Sequence, residues 1–159
     1  MLAFEPDLVI VGYSLNVPEI EGLPAAAHAL PQGRLVAALA LPVELGASKR
    51  LLEVACGEGG FATHIAERFG PAVVGVDIHE SAIGAARARA RSRRLEPLVT
   101  FERVDADRPL LFDDASFDAV LCNDAINHLR DRRCVLSDWH RLLKPGGYCL
   151  FTDPIVVTG

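Results

Sequence analysis

From Arg50 onward, short apolar runs alternate with segments in which apolar residues recur at the spacing of an α-helix. This alternation is typical of successive β-α-β units, whose strands form a parallel sheet with helices on both faces. We therefore expect an α/β, Rossmann-like, doubly wound fold with a mostly parallel sheet of five strands in three α/β/α layers. The predicted strands are 51–55, 72–77, 98–104, 117–123 and 148–152, and the predicted helices are 34–41, 61–69, 81–94 and a last one that Asp131 caps.

The first 34 residues differ from the rest of the chain. They contain four prolines and no sustained apolar period, so we expect an irregular lead-in that covers the sheet, followed by one domain over 35–159. The longest apolar stretch, 35–43, is far shorter than the roughly 20 residues that a membrane span needs. The start of the chain also lacks the basic segment of a secretory signal, which predicts a cytoplasmic protein without a membrane partner.

The charge of the chain argues against nucleic acid as a partner. Its formal net charge is −5, whereas binding to phosphate backbones requires clustered lysine and arginine. Five arginines do lie between positions 87 and 94, but on a helix they divide between opposite sides, which is typical of a solvated surface. The four cysteines show no ligand spacing, so we expect neither a metal site nor a disulfide. A small neutral or cationic substrate fits this composition better.

Ligands of doubly wound sheets bind beyond the carboxyl ends of the strands, so the residues after the first strand are the first candidates for a site. A glycine-rich turn there allows a ligand to approach the backbone and the amides of the next helix. Gly57, Gly59 and Ala62, with Asp77 about 20 residues further on, also satisfy the fingerprint of NAD(P)-dependent oxidoreductases. Glu53 argues against that alternative, because a carboxylate just before the turn suits a cation better than a pyrophosphate.

The same stretch resembles motif I, [D/E]xGxGxG, of the class I S-adenosylmethionine-dependent methyltransferases. Glu53, Gly57 and Gly59 are in register with the motif, and Ala55 stands in place of its first glycine. S-adenosylmethionine carries an ammonium and a sulfonium, which fits an acidic residue at position 53. The resemblance implies that the cofactor lies against this turn, including Cys56.

The ends of the next two strands resemble further motifs of this family. Asp77 matches the acidic residue that in the family accepts both ribose hydroxyls, and Ile78 would pack on the adenine face. The segment after the third strand is similar to the family's GDA segment, which implies that Asp105 binds the adenine amino group and that Ala106 meets a ring nitrogen. A helix N-cap is the alternative role for Asp77. The stretches 109–118 and 142–147 also match the family's LPFxDxSFD and LLKPGG patterns.

The segment after the fourth strand is where the family lines the junction between the cofactor methyl group and the acceptor, and Asn123 would lie there on the cofactor side. If a proton must be removed, His128 is the first candidate for the base, because imidazole titrates near neutral pH, and Asp124 is the second. Alternatively, His128 is a polar residue that begins a helix or bonds to the backbone. The segment contains no NPPY-like motif, which argues against methylation of nucleic-acid bases and favours a small-molecule acceptor.

The sheet of this family normally has seven strands, whereas five are predicted before Gly159, so strands 6 and 7 would be absent. The fifth strand would then form an apolar edge of the kind that folded proteins cover. Three explanations stay open: a fragment, a homo-oligomer in which a second copy covers the edge, and a domain that binds the cofactor without catalysis. Our main hypothesis is an S-adenosylmethionine-dependent methyltransferase of a small molecule. A catalytically silent cofactor-binding module and an NAD(P)-dependent oxidoreductase are the alternatives.

Overall fold

The computed structural model of the protein describes residues 44–151. The predicted lead-in over 1–34 and the predicted helix over 34–41 therefore lie outside the described residues, as does position 152 of the predicted fifth strand. Within the described range the chain forms the strands β1 Arg50–Val54, β2 Ala72–Asp77, β3 Val99–Arg103, β4 Phe117–Cys122 and β5 Leu143–Phe151, the helices α1 Gly60–Phe69, α2 Glu80–Ser92 and α3 Arg132–Leu142, and a short 3₁₀ turn, Ile126–His128.

The five strands form one sheet in the order β3-β2-β1-β4-β5. Every neighbouring pair is parallel, which confirms the predicted parallel sheet. The strand order runs outward from β1 in one direction through β2 and β3, and β4 then joins the other side of β1. This reversal creates a switch point at the carboxyl ends of β1 and β4, and open α/β sheets bind their ligands at such points.

Helices cover both faces of the sheet. Successive side chains of each buried strand point to opposite faces, so each strand contributes apolar side chains to the core on either side. On β1, Leu51 contributes to the core beneath α1 and α2, and Leu52 contributes to the core beneath α3, and both side chains are fully buried. Ile65 of α1 and Ile83 of α2 pack in the first core, and Trp139 of α3 packs in the second. Burial of each such side chain contributes about 1.5–3 kcal/mol, so both layers of helix are held to the sheet.

The helix α3 begins as the sequence predicts. Asp131 is its N-cap residue, and the Asp131 carboxylate accepts a hydrogen bond from the Cys134 amide at 3.1 Å. This bond satisfies one of the amides that the first turn of a helix leaves without an internal partner. The cap therefore fixes where the chain turns from the carboxyl edge of the sheet back along its second face.

The start of β5 differs from the prediction, which placed a terminating turn over 144–147 and the strand from Tyr148. The structure pairs Leu143 with Phe117 and then Tyr148 with Ala119, so the four residues between them form a bulge within the strand. Gly146 takes a left-handed conformation there, with φ 76°. Lys144 stabilises the bulge, since its ammonium group donates to the Asp118 carboxylate at 2.7 Å. This long-range ion pair is invisible in the local sequence pattern.

Candidate active site

The segments that carry the predicted site residues leave the sheet at one edge. In the strand register Val54 lies beside both Val76 and Cys122, and Asp77 lies beside Arg103. Strands β1 to β4 therefore end at similar heights, and the loops that follow them meet at the carboxyl edge. The residues brought to this edge are Ala55, Cys56, Gly57, Gly59, Asp77, Ile78, Asp105, Ala106, Asn123 and Asp124.

The glycine turn after β1 alternates into the left-handed region of backbone space. Ala55, Gly57 and Gly59 have φ values of 57°, 53° and 68°. The turn is closed by two bonds of 3.0 Å, from the Cys56 amide to the Val76 carbonyl and from the Gly59 amide to the Cys56 carbonyl. A left-handed conformation costs a residue with a Cβ about 1–2 kcal/mol. Ala55, which stands where motif I has glycine, therefore carries strain that its sequence position did not reveal.

Glycine at two positions is required by a neighbouring ring. A Cβ added to Gly59 would lie 2.5 Å from the ring of Phe101, and one added to Gly75 would lie 2.6 Å from it. Phe101 itself is buried in the core beneath α1 and α2. The ring of β3 thus packs directly against the backbone of the glycine turn and of β2. Motif I predicts a glycine at position 59, but nothing in the sequence pattern indicated its contact with Phe101.

Asp77 joins the end of β2 to the glycine turn. Its Oδ2 accepts the Gly57 amide at 2.9 Å, and its Oδ1 accepts the His79 amide at 2.9 Å and lies 3.1 Å from His79 Nδ1. Burial by itself would raise the pKa of this carboxyl, but the two amides and the imidazole outweigh it and hold the pKa below its ordinary value. Asp77 is therefore an ionised carboxylate at neutral pH. The N-cap of α2 is His79 rather than Asp77, so the N-cap alternative is wrong.

Glu53 is in the opposite state. Its side chain is buried, and Oε2 accepts the Ala62 amide at 3.0 Å. Burial raises the pKa of Glu53 from 4.5 to about 8, the Ala62 amide opposes the rise, and the charge of Asp77 adds to it. Since the N-cap of α1 is Gly59, which has no side chain, Glu53 reaches from the strand to cap the first turn of that helix. This helix-capping contact was missed by the sequence argument, which considered Glu53 only as a partner of a cation.

Cys56 is buried beside these two carboxyl groups. Burial, followed by the charges of Glu53 and Asp77, raises the pKa of the Cys56 thiol far above its usual range. The thiol is therefore neutral, and a neutral thiol is a poor nucleophile. Cys56 lines the turn as a small apolar group.

The residues predicted to meet the adenine remain accessible. Ile78 exposes 50% of its surface directly after the buried strand β2. Asp105 accepts the Asp107 amide on Oδ1 at 3.1 Å, and its Oδ2 lies 3.5 Å from Arg108 Nε. The Asp105 side chain is 41% exposed, and Ala106 beside it is partly buried. An apolar face and a carboxylate are thus available at this end of the edge.

The acceptor-side candidates follow β4. Asn123 is half-buried directly after the strand, and Asp124 is exposed and takes a left-handed conformation with φ 52°. His128 is exposed and ends the 3₁₀ turn, and its amide donates to the Ala125 carbonyl at 3.0 Å. The helix α3 begins only at Arg132, so His128 does not begin a helix. Asp124 and His128 are both exposed in the segment beyond the sheet, and Ile126 between them is buried.

Arginines of α2 and of its C-cap form hydrogen bonds and ion pairs with other residues of the chain. Arg87 donates to the Phe101 carbonyl at 2.8 Å, Arg89 donates to the Glu58 carbonyl at 3.0 Å, and Arg93 pairs with Glu67 at 2.7 Å. Within residues 44–151, no group of three or more histidine, cysteine, aspartate or glutamate side chains is arranged to hold a metal ion. No helix in that range is long and apolar enough to cross a membrane.

Comparison with known proteins agrees with the resemblance of the sequence motifs to methyltransferases. Residues 45–158 match the model of a family described as a methyltransferase domain. Methyltransferase GfsG of Streptomyces halstedii is 33% identical over 153 residues, which are 96% of this chain and 52% of that protein. The fatty-acid O-methyltransferase of Mycolicibacterium smegmatis is 44% identical over 107 residues, which are 66% of this chain and 37% of that protein. The chain thus spans about half, or less, of the length of these relatives.

A solved structure agrees with the fold. Phosphoethanolamine N-methyltransferase 2 of Haemonchus contortus, in complex with S-adenosyl-L-methionine, superposes with a TM-score of 0.68 at 32% identity, over 74% of this chain and 27% of that chain. The resemblance inferred from the motifs is confirmed, and the match to a methyltransferase family leaves no support for the oxidoreductase alternative. The chain belongs to the S-adenosylmethionine-dependent methyltransferases and carries their class I Rossmann-like fold.

Proposed function

We propose that this chain binds S-adenosylmethionine at the carboxyl edge of its sheet and transfers the methyl group to a small-molecule acceptor. The observation that carries the proposal is the 2.9 Å hydrogen bond from the Gly57 amide to Asp77, which puts the glycine turn and an ionised carboxylate side by side. A carboxylate offers about four acceptor directions, and the Gly57 amide and the His79 amide and ring occupy three of them. Asp77 therefore keeps acceptor capacity on Oδ2 for a ribose hydroxyl.

The remaining residues of the edge fit the other parts of the cofactor. Ile78 offers an exposed apolar surface for the adenine face, and Asp105 offers a partly exposed carboxylate for its amino group. Glu53, which burial keeps largely protonated at neutral pH, holds the first turn of α1 through the Ala62 amide and so supports the glycine turn rather than offering a charge to the cofactor. When bound, S-adenosylmethionine supplies an electrophilic methyl group on a sulfonium.

Methyl transfer of this kind is an in-line displacement, so the protein mainly has to hold donor and acceptor in the geometry of attack. In our proposal the segment 123–128 positions the acceptor. The bound cofactor would supply the methyl carbon, and the electron pair of the carbon–sulfur bond would stay on the product S-adenosylhomocysteine as the bond to the acceptor atom forms. If the acceptor carries a proton, His128 takes it, and Asp124 is the second candidate for that base.

A small molecule is the acceptor best supported by the charge of the chain and by its relatives. The net charge of −5 disfavours a nucleic-acid backbone. The relatives described above include enzymes named for a fatty acid and for phosphoethanolamine. We propose an acceptor of comparable size, and its identity depends on loops that differ among enzymes of one fold.

Calorimetric titration with S-adenosylmethionine, S-adenosylhomocysteine and NAD tests the binding half of the proposal. We expect the first two to bind and NAD not to bind. Asp77→Asn should weaken binding about 10- to 100-fold, since a hydrogen bond to a charged group contributes about 1.5–3 kcal/mol. The matched control is Asp118→Asn, because Asp118 is also hydrogen-bonded and partly buried but lies at the opposite edge of the sheet. NAD binding, or equal losses in both variants, would contradict the proposal.

Turnover against a panel of carboxylates, phenols and amines tests the catalytic half. We expect S-adenosylhomocysteine to form with at least one class, and His128→Ala to lower turnover without changing the affinity for the cofactor. Unchanged turnover in His128→Ala would remove His128 from the mechanism. Tight binding of the cofactor without turnover against any class would favour the catalytically silent module instead.

A further inference from the structure

Two segments leave the carboxyl edge on opposite sides of the centre of the sheet. One is the loop after β3, and the other is the segment after β4. In the sheet, β3 and β4 are separated by β2 and β1. A hydrogen bond nonetheless joins the two segments, because the backbone N–H of Arg130 donates to Asp107 Oδ1 at 2.7 Å, and Arg130 Nε lies 3.9 Å from Asp107 Oδ2. The contact ties together the two flanks of the proposed cofactor site, and we name it the Asp107–Arg130 link.

On the β3 side, the link is built into the turn that carries Asp105. The amide of Asp107 donates to Asp105 Oδ1 at 3.1 Å, and the amide of Arg108 donates to the Asp105 carbonyl at 3.1 Å. Asp105 and Asp107 therefore belong to one hydrogen-bonded unit. A ligand that shifts the Asp105 carboxylate on binding would therefore also shift Asp107.

On the β4 side, the link holds the chain between two short-range structures. Arg130 lies two residues after His128, and the next residue, Asp131, caps α3. The 3₁₀ turn closes on itself, since the Leu129 amide donates to the Ile126 carbonyl at 3.3 Å. Arg130 is thus one point at which the chain before α3 is held by a residue of the loop after β3.

We propose that Asp107 is a positioning residue, which contacts neither cofactor nor acceptor. It holds the segment 123–130, which includes the acceptor-side residues 123–128, in place relative to the loop that binds adenine. This inference rests on the proposed function and extends it. Occupation of the adenine end would then order the segment that presents Asp124 and His128. A misplacement of about 1 Å at a reacting centre can lower the rate about 100-fold. Loss of this single hydrogen bond can therefore lower turnover strongly.

Three variants of the full chain test the link. Asp107→Ala removes the acceptor, whereas Asp107→Asn keeps an oxygen for the Arg130 amide. Asp113→Ala is the matched control, because Asp113 is an exposed aspartate of the same loop. For Asp107→Ala we expect kcat to fall at least about tenfold while the Kd for S-adenosylhomocysteine changes less than about threefold. Asp107→Asn should recover most of kcat, and circular dichroism should show all three variants folded.

Hydrogen exchange provides a readout that does not depend on turnover. Addition of S-adenosylhomocysteine should slow the exchange of the peptide spanning 124–130 in the wild type and in Asp107→Asn, but not in Asp107→Ala. Protection that persists in Asp107→Ala, or an Asp107→Ala kcat equal to that of the wild type, would overturn the link. Parallel loss of kcat and of cofactor affinity, without rescue by Asp107→Asn, would also overturn it. A wild type that binds no S-adenosylhomocysteine would instead refute the proposed function itself.

Discussion

The burial of Glu53 predicts how the stability of the ligand-free protein depends on pH. Its pKa is about 8 in the folded protein, against an ordinary value of 4.5. Between these two values the folded chain keeps a proton that the unfolded chain has released. The free energy of unfolding therefore falls as the pH rises. The contribution of Glu53 is constant below about pH 4.5, where both states are protonated, and again above about pH 8, where both are ionised.

The magnitude follows from the same two pKa values. Each pH unit within that interval lowers the free energy of unfolding by about 1.4 kcal/mol, which accumulates to an upper limit of about 5 kcal/mol by pH 8. This limit is comparable to the whole stability of a small domain, about 5–15 kcal/mol. In Glu53→Gln the side chain keeps its shape and an oxygen for the Ala62 amide but has no charge to bury. Its stability should lack this component of the pH dependence.

Urea unfolding of the wild type and of Glu53→Gln at pH 5, 6, 7 and 8 measures the effect. We expect similar stabilities at pH 5 and an advantage for the variant that grows to at least about 2 kcal/mol at pH 8. The control is Glu96→Gln, which changes an exposed glutamate and should give a difference that is constant with pH. A constant difference for Glu53→Gln, or an advantage that shrinks as the pH rises, would refute the reasoning.

Two further predictions concern a residue of the glycine turn and a glycine of β2. Ala55→Gly should raise stability by about 0.5–1 kcal/mol and the melting temperature by a few degrees, since relief of the left-handed strain at φ 57° exceeds the added entropy of the unfolded chain; a lower melting temperature by calorimetry would show that Ala55 is not strained. Gly75→Ala should cost about 1–3 kcal/mol in urea unfolding, because its Cβ would meet the Phe101 ring at 2.6 Å. Adding Phe101→Leu should make the alanine at position 75 less costly, and an unchanged cost would locate the clash elsewhere.

The central strands could be predicted from sequence because they are buried on both faces and therefore read as continuous apolar runs. The structure matches the predicted bounds of β2 and differs by one residue at an end of β4. The start of β5 could not be found in this way. The residues 144–147 have no apolar period, and they are included in the strand because Leu143 and Tyr148 pair with β4 on either side of them.

The sequence predicts which residues meet at the site, because the carboxyl ends of parallel strands lie at one edge of the sheet. The states of its carboxyl groups were not predictable. Glu53 and Asp77 both lie near the ends of buried strands, yet Glu53 meets one amide and Asp77 meets two amides and an imidazole. Burial dominates at Glu53 and leaves it protonated, whereas the additional donors around Asp77 outweigh its burial and leave it ionised at neutral pH. This difference depends on partners 2 to 20 residues away, and a local pattern does not encode them.

The packing of Phe101 against Gly59 and Gly75 makes these three positions a single unit of variation. A side chain at position 59 or 75 requires a smaller residue at position 101, and at position 59 it must also clear the Ala86 Cβ at 2.9 Å. Position 101 is buried in the core although it lies on an outermost strand of the described sheet. Among related sequences we therefore expect the size of the residue at position 101 to covary with the residues at positions 59 and 75. A residue of an edge strand thus restricts which residues the glycine turn can accept.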